Sequence, residues 1–191
     1  HSFPTRRSSD LTERWSSLTP IVVFAGHGNN GGDALAVARM LANEGYKVKT
    51  FLFNISDKLS DDCNTNKQRL LESKASKGFI EVTTQFDPPE LTEDTLVVDG
   101  LFGTGLNKPL AGGFAALIKY INQSLAKVVS IDIPSGLLSE DNSYNVRANI
   151  IRANLTLSFH QPKLAFLFGD NQAFLGEVKI LDIRLSQEFK I

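Results

Sequence analysis

Cysteine is almost absent: Cys63 stands alone among 191 residues. A single thiol excludes an internal disulfide and any multi-cysteine metal centre, and it fits a reducing cytoplasm. Net charge is almost absent too. Twenty basic and 21 acidic side chains leave −1 at neutral pH, so no broad positive field gathers nucleic acid or an acidic membrane. Long apolar runs are missing; none approaches the roughly 20 residues that span a bilayer. No Gly-Lys-Ser/Thr sequence occurs, which removes a Walker-type NTPase. No Gly-x-Ser-x-Gly elbow accompanies His160, which removes a hydrolase triad. Internal repeats and low-complexity linkers are also lacking.

The chain's 42% hydrophobic and 21% charged residues are ordinary for one globular domain with a sizeable core. Residues 1–11 read differently. They are polar, basic and without periodicity, and they resemble one translated frame of a common sequencing adapter. They are expected to be a non-native leader, leaving 12–191 as one domain truncated at its amino end; whether a further domain followed Ile191 stays open.

Apolar, β-branched runs recur at Ile21–Ala25, Lys47–Phe53, Leu96–Asp99, Val128–Asp132, Leu155–Phe159 and Val178–Ile183. Most are apolar throughout rather than alternating, as strands covered on both faces are. Helices are expected at Asp33–Asn43, Ser60–Lys77 and Phe114–Ser124. Strands alternating with helices predict an α/β fold: a Rossmann-like three-layer α/β/α sandwich with a mostly parallel central sheet.

In such sheets ligands bind beyond the carboxyl ends of the strands, and the polar motifs fall there. Gly26-His27-Gly28-Asn29-Asn30-Gly31-Gly32-Asp33 follows the first strand. Strand, glycine-rich turn and helix together present backbone N–H groups to a phosphate. Two adjacent asparagines are more than flexibility requires; their amides can read a polar ligand or hold a hard cation. Asp99 leads into Gly103-Thr104-Gly105-Leu106-Asn107-Lys108-Pro109, either a plain turn or a second anion nest. Asp132 leads into Pro134-Ser135-Gly136, and His160 and Lys163 follow the fifth strand. Each has a plainer reading: Asp33 as a helix-start acid, Asp99 and Asp132 as loop caps, Lys163 as a solvated surface lysine, Cys63 as incidental on an exposed helix. Asp99, Ser135 and an Asn30 carbonyl would offer oxygens to a cation. Gly26-x-Gly28-x-x-Gly31 also matches the dinucleotide fingerprint, but Asn54 stands where its acidic partner belongs.

Together these residues resemble the NAD(P)H-hydrate epimerase family, the N-terminal domain of bifunctional NAD(P)HX repair enzymes. The likeness is carried by Gly26–Asp33, by Val98-Asp99-Gly100-Leu101-Phe102-Gly103-Thr104-Gly105-Leu106 and by Asp132–Leu137, and runs from about Ile21 to Leu185. His27 and Ala34 depart from the family pattern without removing a ligand group. The resemblance implies an isomerase that interconverts the R and S forms of C6-hydrated NADH and NADPH. It implies that Asn29, Asn30, Gly31, Gly32, Asp33 and Gly103, Thr104, Gly105, Leu106, Asn107, Lys108, Pro109 bind substrate with Asp132. It implies that Asn30, Asp99 and Ser135 hold one potassium ion per subunit. Asp132, with Lys163 second, is the expected acid–base group. The implied partners are NADHX or NADPHX, a fused or separate ADP- or ATP-dependent dehydratase and a second copy in a homodimer, with no nucleic acid and no membrane. A non-catalytic binding module on the same fold is the alternative.

Overall fold

The unbroken apolar runs form the sheet. The structure, a computed structural model, describes residues 10–159 and 163–181. Its strands are β1 (Ile21–Ala25), β2 (Val48–Phe53), β3 (Phe79–Val82), β4 (Leu96–Gly100), β5 (Lys127–Ile131), β6 (Leu155–Phe159) and β7 (Glu177–Leu181). They lie in the order β3-β2-β1-β4-β5-β6-β7, and every pair is parallel. β1 and β4 are buried at all five positions each, as central strands between two helix layers must be.

After β1 the α-helices among the described residues are α1 (Asn29–Asn43), α2 (Asp61–Leu71), α3 (Gly112–Gln123) and the short α4 (Gln172–Leu175). Leu35, Val37, Leu41 and Leu70 of α1 and α2 pack with Val23, Leu52, Val98 and Ile131 on one face. Leu117, Ile118 and Ile121 of α3 pack with Phe24, Phe51 and Val97 on the other. Helix layers on both faces make the three-layer sandwich expected from the strand pattern. A third cluster, including Ile133, Leu137, Ile150, Phe166, Phe174 and Leu175, lies beneath the later loops. No helix among the described residues is long and apolar enough to cross a membrane. From β1 the chain runs outward to β2 and β3, then returns to place β4 on the other side of β1. That reversal puts a crevice between the carboxyl ends of β1 and β4.

Several boundaries differ from expectation. β3 was not anticipated: four residues at a sheet edge, with Ile80 exposed, are too few to carry a period. The second helix ends at Leu71 rather than Lys77. The Ser73 hydroxyl donates to the Leu70 carbonyl at 2.7 Å and accepts from Ala75 N–H at 3.2 Å, so it closes one helix and opens a separate turn at Lys74–Gly78. The packed structure reaches back to Asp10 and Leu11, both buried, within the stretch set apart above as a leader. His160 and residues 182–183 of the last expected strand lie outside the described residues.

Cys63 is not on an exposed face. It is fully buried, its thiol 3.6 Å from the Gly26 carbonyl oxygen. A Cβ on Gly32 would stand 3.1 Å from the Cys63 Cα, so α1 and α2 cross at a glycine–cysteine contact. Burial pushes the thiol up to about 11, with the negative charge of Glu81 adding to it and Lys67 opposing. Thiolate is the reactive form. Alkylation by iodoacetamide at pH 8 should therefore be at least about 100-fold slower in the folded chain than in urea. Equal rates, followed by mass spectrometry, would contradict this packing.

Candidate active site

α1 starts at Asn29, four residues before the expected Asp33, so the Asn-Asn-Gly-Gly segment is helix rather than turn. The cause is close approach. A Cβ on Gly31 would lie 1.7 Å from the Gly26 carbonyl oxygen, and one on Gly26 would lie 1.9 Å from that of Leu101. Only glycines let the helix begin directly against the exits of β1 and β4. The N-cap residue, Gly28, makes no side-chain cap bond, so the first-turn N–H groups receive no side-chain acceptor from it. They and the helix dipole face the crevice as an anion site. Asn29 is exposed, Gly31 and Gly32 are buried, and Asp33 is half-buried in the second turn.

At the next strand end, Asp99 is fully buried and accepts four hydrogen bonds. Ser130 Oγ and Ser135 N–H donate to Oδ2 at 2.7 and 2.9 Å; Leu101 N–H, at 3.3 Å, and Ser135 Oγ donate to Oδ1. Burial is the dominant influence and pushes the Asp99 carboxyl above the usual range, with the bonds from Ser135, Ser130 and Leu101 opposing it. Ser135 Oγ in turn accepts from Phe102 N–H at 2.9 Å. The expected pair Asp99 and Ser135 is therefore in direct contact, and Ser130, which the sequence reading missed, is a further donor to the same carboxylate. Its signal was present: a serine inside the otherwise apolar inward run of β5.

Gly103 joins the rest. A Cβ there would stand 3.2 Å from Asn30 Cβ, 3.4 Å from Asn30 Cγ and 3.6 Å from Asp132 Oδ2, so Asn30 and Asp132 both come close to it. Both polar atoms of the Asn30 amide are buried without a hydrogen-bond partner among the described residues. Asp132 holds φ 75°, the left-handed region that aspartate enters more readily than most residues. Its Oδ1 lies 3.3 Å from Lys163 Nζ, an ion pair without hydrogen-bond alignment. Lys163 is thus not a solvated surface lysine. Gly103→Ala is expected to leave the fold intact while lowering turnover about tenfold, because the added methyl fills the space between Asn30 and Asp132. Parent-level kinetics in that variant would show the space to be unused.

The loop Gly103–Pro109 is anchored at both ends. Phe102 meets Phe114 of α3 edge-on at 4.9 Å, and Asn149 Nδ2 donates to the Leu110 carbonyl at 2.9 Å. Thr104, Gly105, Asn107, Lys108 and Pro109 between them are exposed, and Leu106 is half-buried. Asn149 was not foreseen, since nothing local links it to a carbonyl 39 residues earlier. At the end of β2, Asn54 donates to Glu81 Oε2 at 3.2 Å, and Glu81 is paired with Lys67. Burial alone would push Glu81 up, but the Lys67 and Asn54 hydrogen bonds and the Lys67 charge outweigh it and hold the carboxyl low. Both Glu81 oxygens are occupied within the protein, so Glu81 is not free to take a ribose in the dehydrogenase manner.

Residues 7–165 match the family described as YjeF-related protein N-terminus. The chain is 33% identical to the NAD(P)H-hydrate epimerase of Limosilactobacillus fermentum, over 92% of this chain and 80% of that protein. It is 36% identical to the bifunctional NAD(P)H-hydrate repair enzyme Nnr of Thermofilum pendens, over 83% of this chain and 30% of that one. The crystal structure of yeast ynu0, YNL200c, superposes with a TM-score of 0.70 at 21% identity, covering 94% of this chain and 75% of the other, which establishes the shared fold. With the family match spanning most of the sequence, this chain belongs to the YjeF-related protein N-terminus family.

Proposed function

We propose that this chain is an NAD(P)H-hydrate epimerase, an isomerase acting in nicotinamide nucleotide repair. The observation that carries the reading is the convergence of Asn30, Gly103 and the Asp132–Lys163 pair beyond the strand ends at the sheet's switch point. Relatives named for this activity support it. In the reading, Asn29–Asp33 and Gly103–Pro109 bind the substrate's phosphate and sugar region, and Asp132 meets its nicotinamide end.

The reaction is redox-neutral. The proton of the Asp132–Lys163 pair passes from Lys163 through Asp132 to the C6 hydroxyl, which leaves as water, and the ring nitrogen's electron pair forms a conjugated iminium. The Asp132 carboxylate stabilises that cation. Water then adds to the opposite face and returns its proton by the same route. Lys163 orients Asp132 and serves as a second proton store. The direct test follows pure R-NADHX by HPLC or NMR. Equilibration with the S form well above the spontaneous rate is expected; an unchanged rate would sink the assignment.

A potassium ion forms part of the proposal, held by Asn30, Asp99 and Ser135. The unpartnered Asn30 carbonyl oxygen fits that role. Asp99 accepts four donors already, so its contribution is buried negative charge beside a hard cation, which would orient the crevice's polar groups. Replacing NaCl by KCl at fixed ionic strength should raise the melting temperature by about 2–4 °C in the parent and not in Ser135→Ala. Identical melting curves in both salts would remove the ion. The proposal also includes a cytoplasmic location, a homodimer readable from solution mass, and a dehydratase partner. Fused repair enzymes and single-activity epimerases among the relatives support either arrangement of that partner.

A further inference from the structure

A cleft of about 370 Å³ lies between the carboxyl end of α3, the segment leading into β6, and α4, and it shares no lining residue with the candidate active site. It sits at the opposite edge of the sheet. Arg152 precedes β6, and Asn154 beside it bonds the amino end of β5 through Val128, whereas Asp132 follows the carboxyl end of β5. Three cations, Lys119, Arg147 and Arg152, line the cleft, and among the described residues no carboxylate does. In a chain of net charge −1, three basic groups around one concavity without an acid are a local excess.

The walls are set in place. Asn122 Oδ1 accepts from Arg152 N–H at 2.9 Å while its Nδ2 donates to the Ile150 carbonyl at 2.8 Å, tying α3 to the 150–152 segment. The Arg147 guanidinium lies 4.6 Å from the centre of the Phe174 ring and donates from one nitrogen to the Asp170 carbonyl at 2.8 Å. Stacking and that bond hold the fork in position with donors to spare, the pre-organised state in which arginine binds phosphate oxygens two at a time. Ala173 and Phe174 supply apolar wall, and the volume falls within the range of small-molecule sites.

We propose that this cleft is a second ligand site, remote from the crevice, that takes a small phosphate ester: phosphate oxygens on Arg147, Arg152 and Lys119, and a ring or apolar body against Phe174 and Ala173. The test titrates the intact chain with AMP, inorganic phosphate and adenosine by calorimetry at fixed ionic strength. AMP is expected to bind saturably, inorganic phosphate more weakly, and adenosine not measurably. Lys119→Gln/Arg152→Gln should weaken AMP about tenfold or more. Both side chains are exposed, so the melting temperature without ligand should not move. Arg147→Lys, which keeps the charge but loses the fork, should weaken AMP as well. AMP binding unchanged in the double variant would assign the ligand to the crevice instead. No saturable binding by the parent up to about 10 mM would also overturn the proposal.

Discussion

Asp132→Asn is expected to slow R/S interconversion by about 10²–10⁴-fold, the usual range for removing a positioned acid–base group, with the substrate dissociation constant changed little. Asparagine keeps the shape and tolerates the left-handed backbone at φ 75° at least as well as aspartate, so the fold should survive. What disappears is the proton carrier and the negative charge that faces the cationic intermediate. The ion pair with Lys163 at 3.3 Å disappears with it. Lys163→Gln should cost less, about tenfold, because it removes the orienting partner and leaves the carrier. Rates and dissociation constants for both variants, measured with pure R-NADHX, decide the ranking. If Asp132→Asn turned over at the parent rate, Asp132 would lose its role; if Lys163→Gln were the worse variant, the two roles would exchange.

Gly31→Ala should destabilise the chain by more than about 4 kcal/mol, a large part of the 5–15 kcal/mol typical of a domain. Helix propensity alone predicts the opposite sign, since alanine exceeds glycine by about 1 kcal/mol inside a helix. The sign reverses because the new Cβ would fall 1.7 Å from the Gly26 carbonyl oxygen and 2.5 Å from its carbon. Both are backbone atoms, held by the Gly26 N–H bond to the Gly100 carbonyl at 3.0 Å. Neither can step aside without pulling β1 from β4. Gly28→Ala is the control: nothing lies within 4 Å of its added Cβ, and an N-cap glycine lost to alanine costs only about 0.5–1 kcal/mol. Urea midpoints for the two variants should differ widely; equal midpoints would mean that α1 does not begin where the close approach places it.

Much of the layout was legible because it depends on local pattern. A strand covered on both faces must be apolar at every position, and Ile21–Ala25 and Leu96–Val98 are. Polar residues that end such strands share one edge of a parallel sheet, so Asp99, Asp132 and Lys163 could be grouped before any coordinates. The start of α1 was misread because glycine usually signals a turn, and only a neighbouring backbone reveals that Gly31 is there for contact. Cys63 was misread for a related reason: its helix is polar overall, and its burial comes from Gly32 across the α1–α2 crossing.

By itself the sequence determined the layers, the strand edge that carries the polar residues, and the three motifs that place the chain in its family, since each is a matter of residue type at fixed local spacing. The tertiary structure alone decided that Asn30 and Asp132 both lie beside Gly103, that Ser130 and Ser135 both bond Asp99, that Asn149 fastens the loop at Leu110, and that three cations meet in a cleft at the far edge of the sheet. Those contacts join residues tens of positions apart. Their distances depend on how β1, β4, β5 and β6 align and on which side chains have room between them, and no local pattern encodes that.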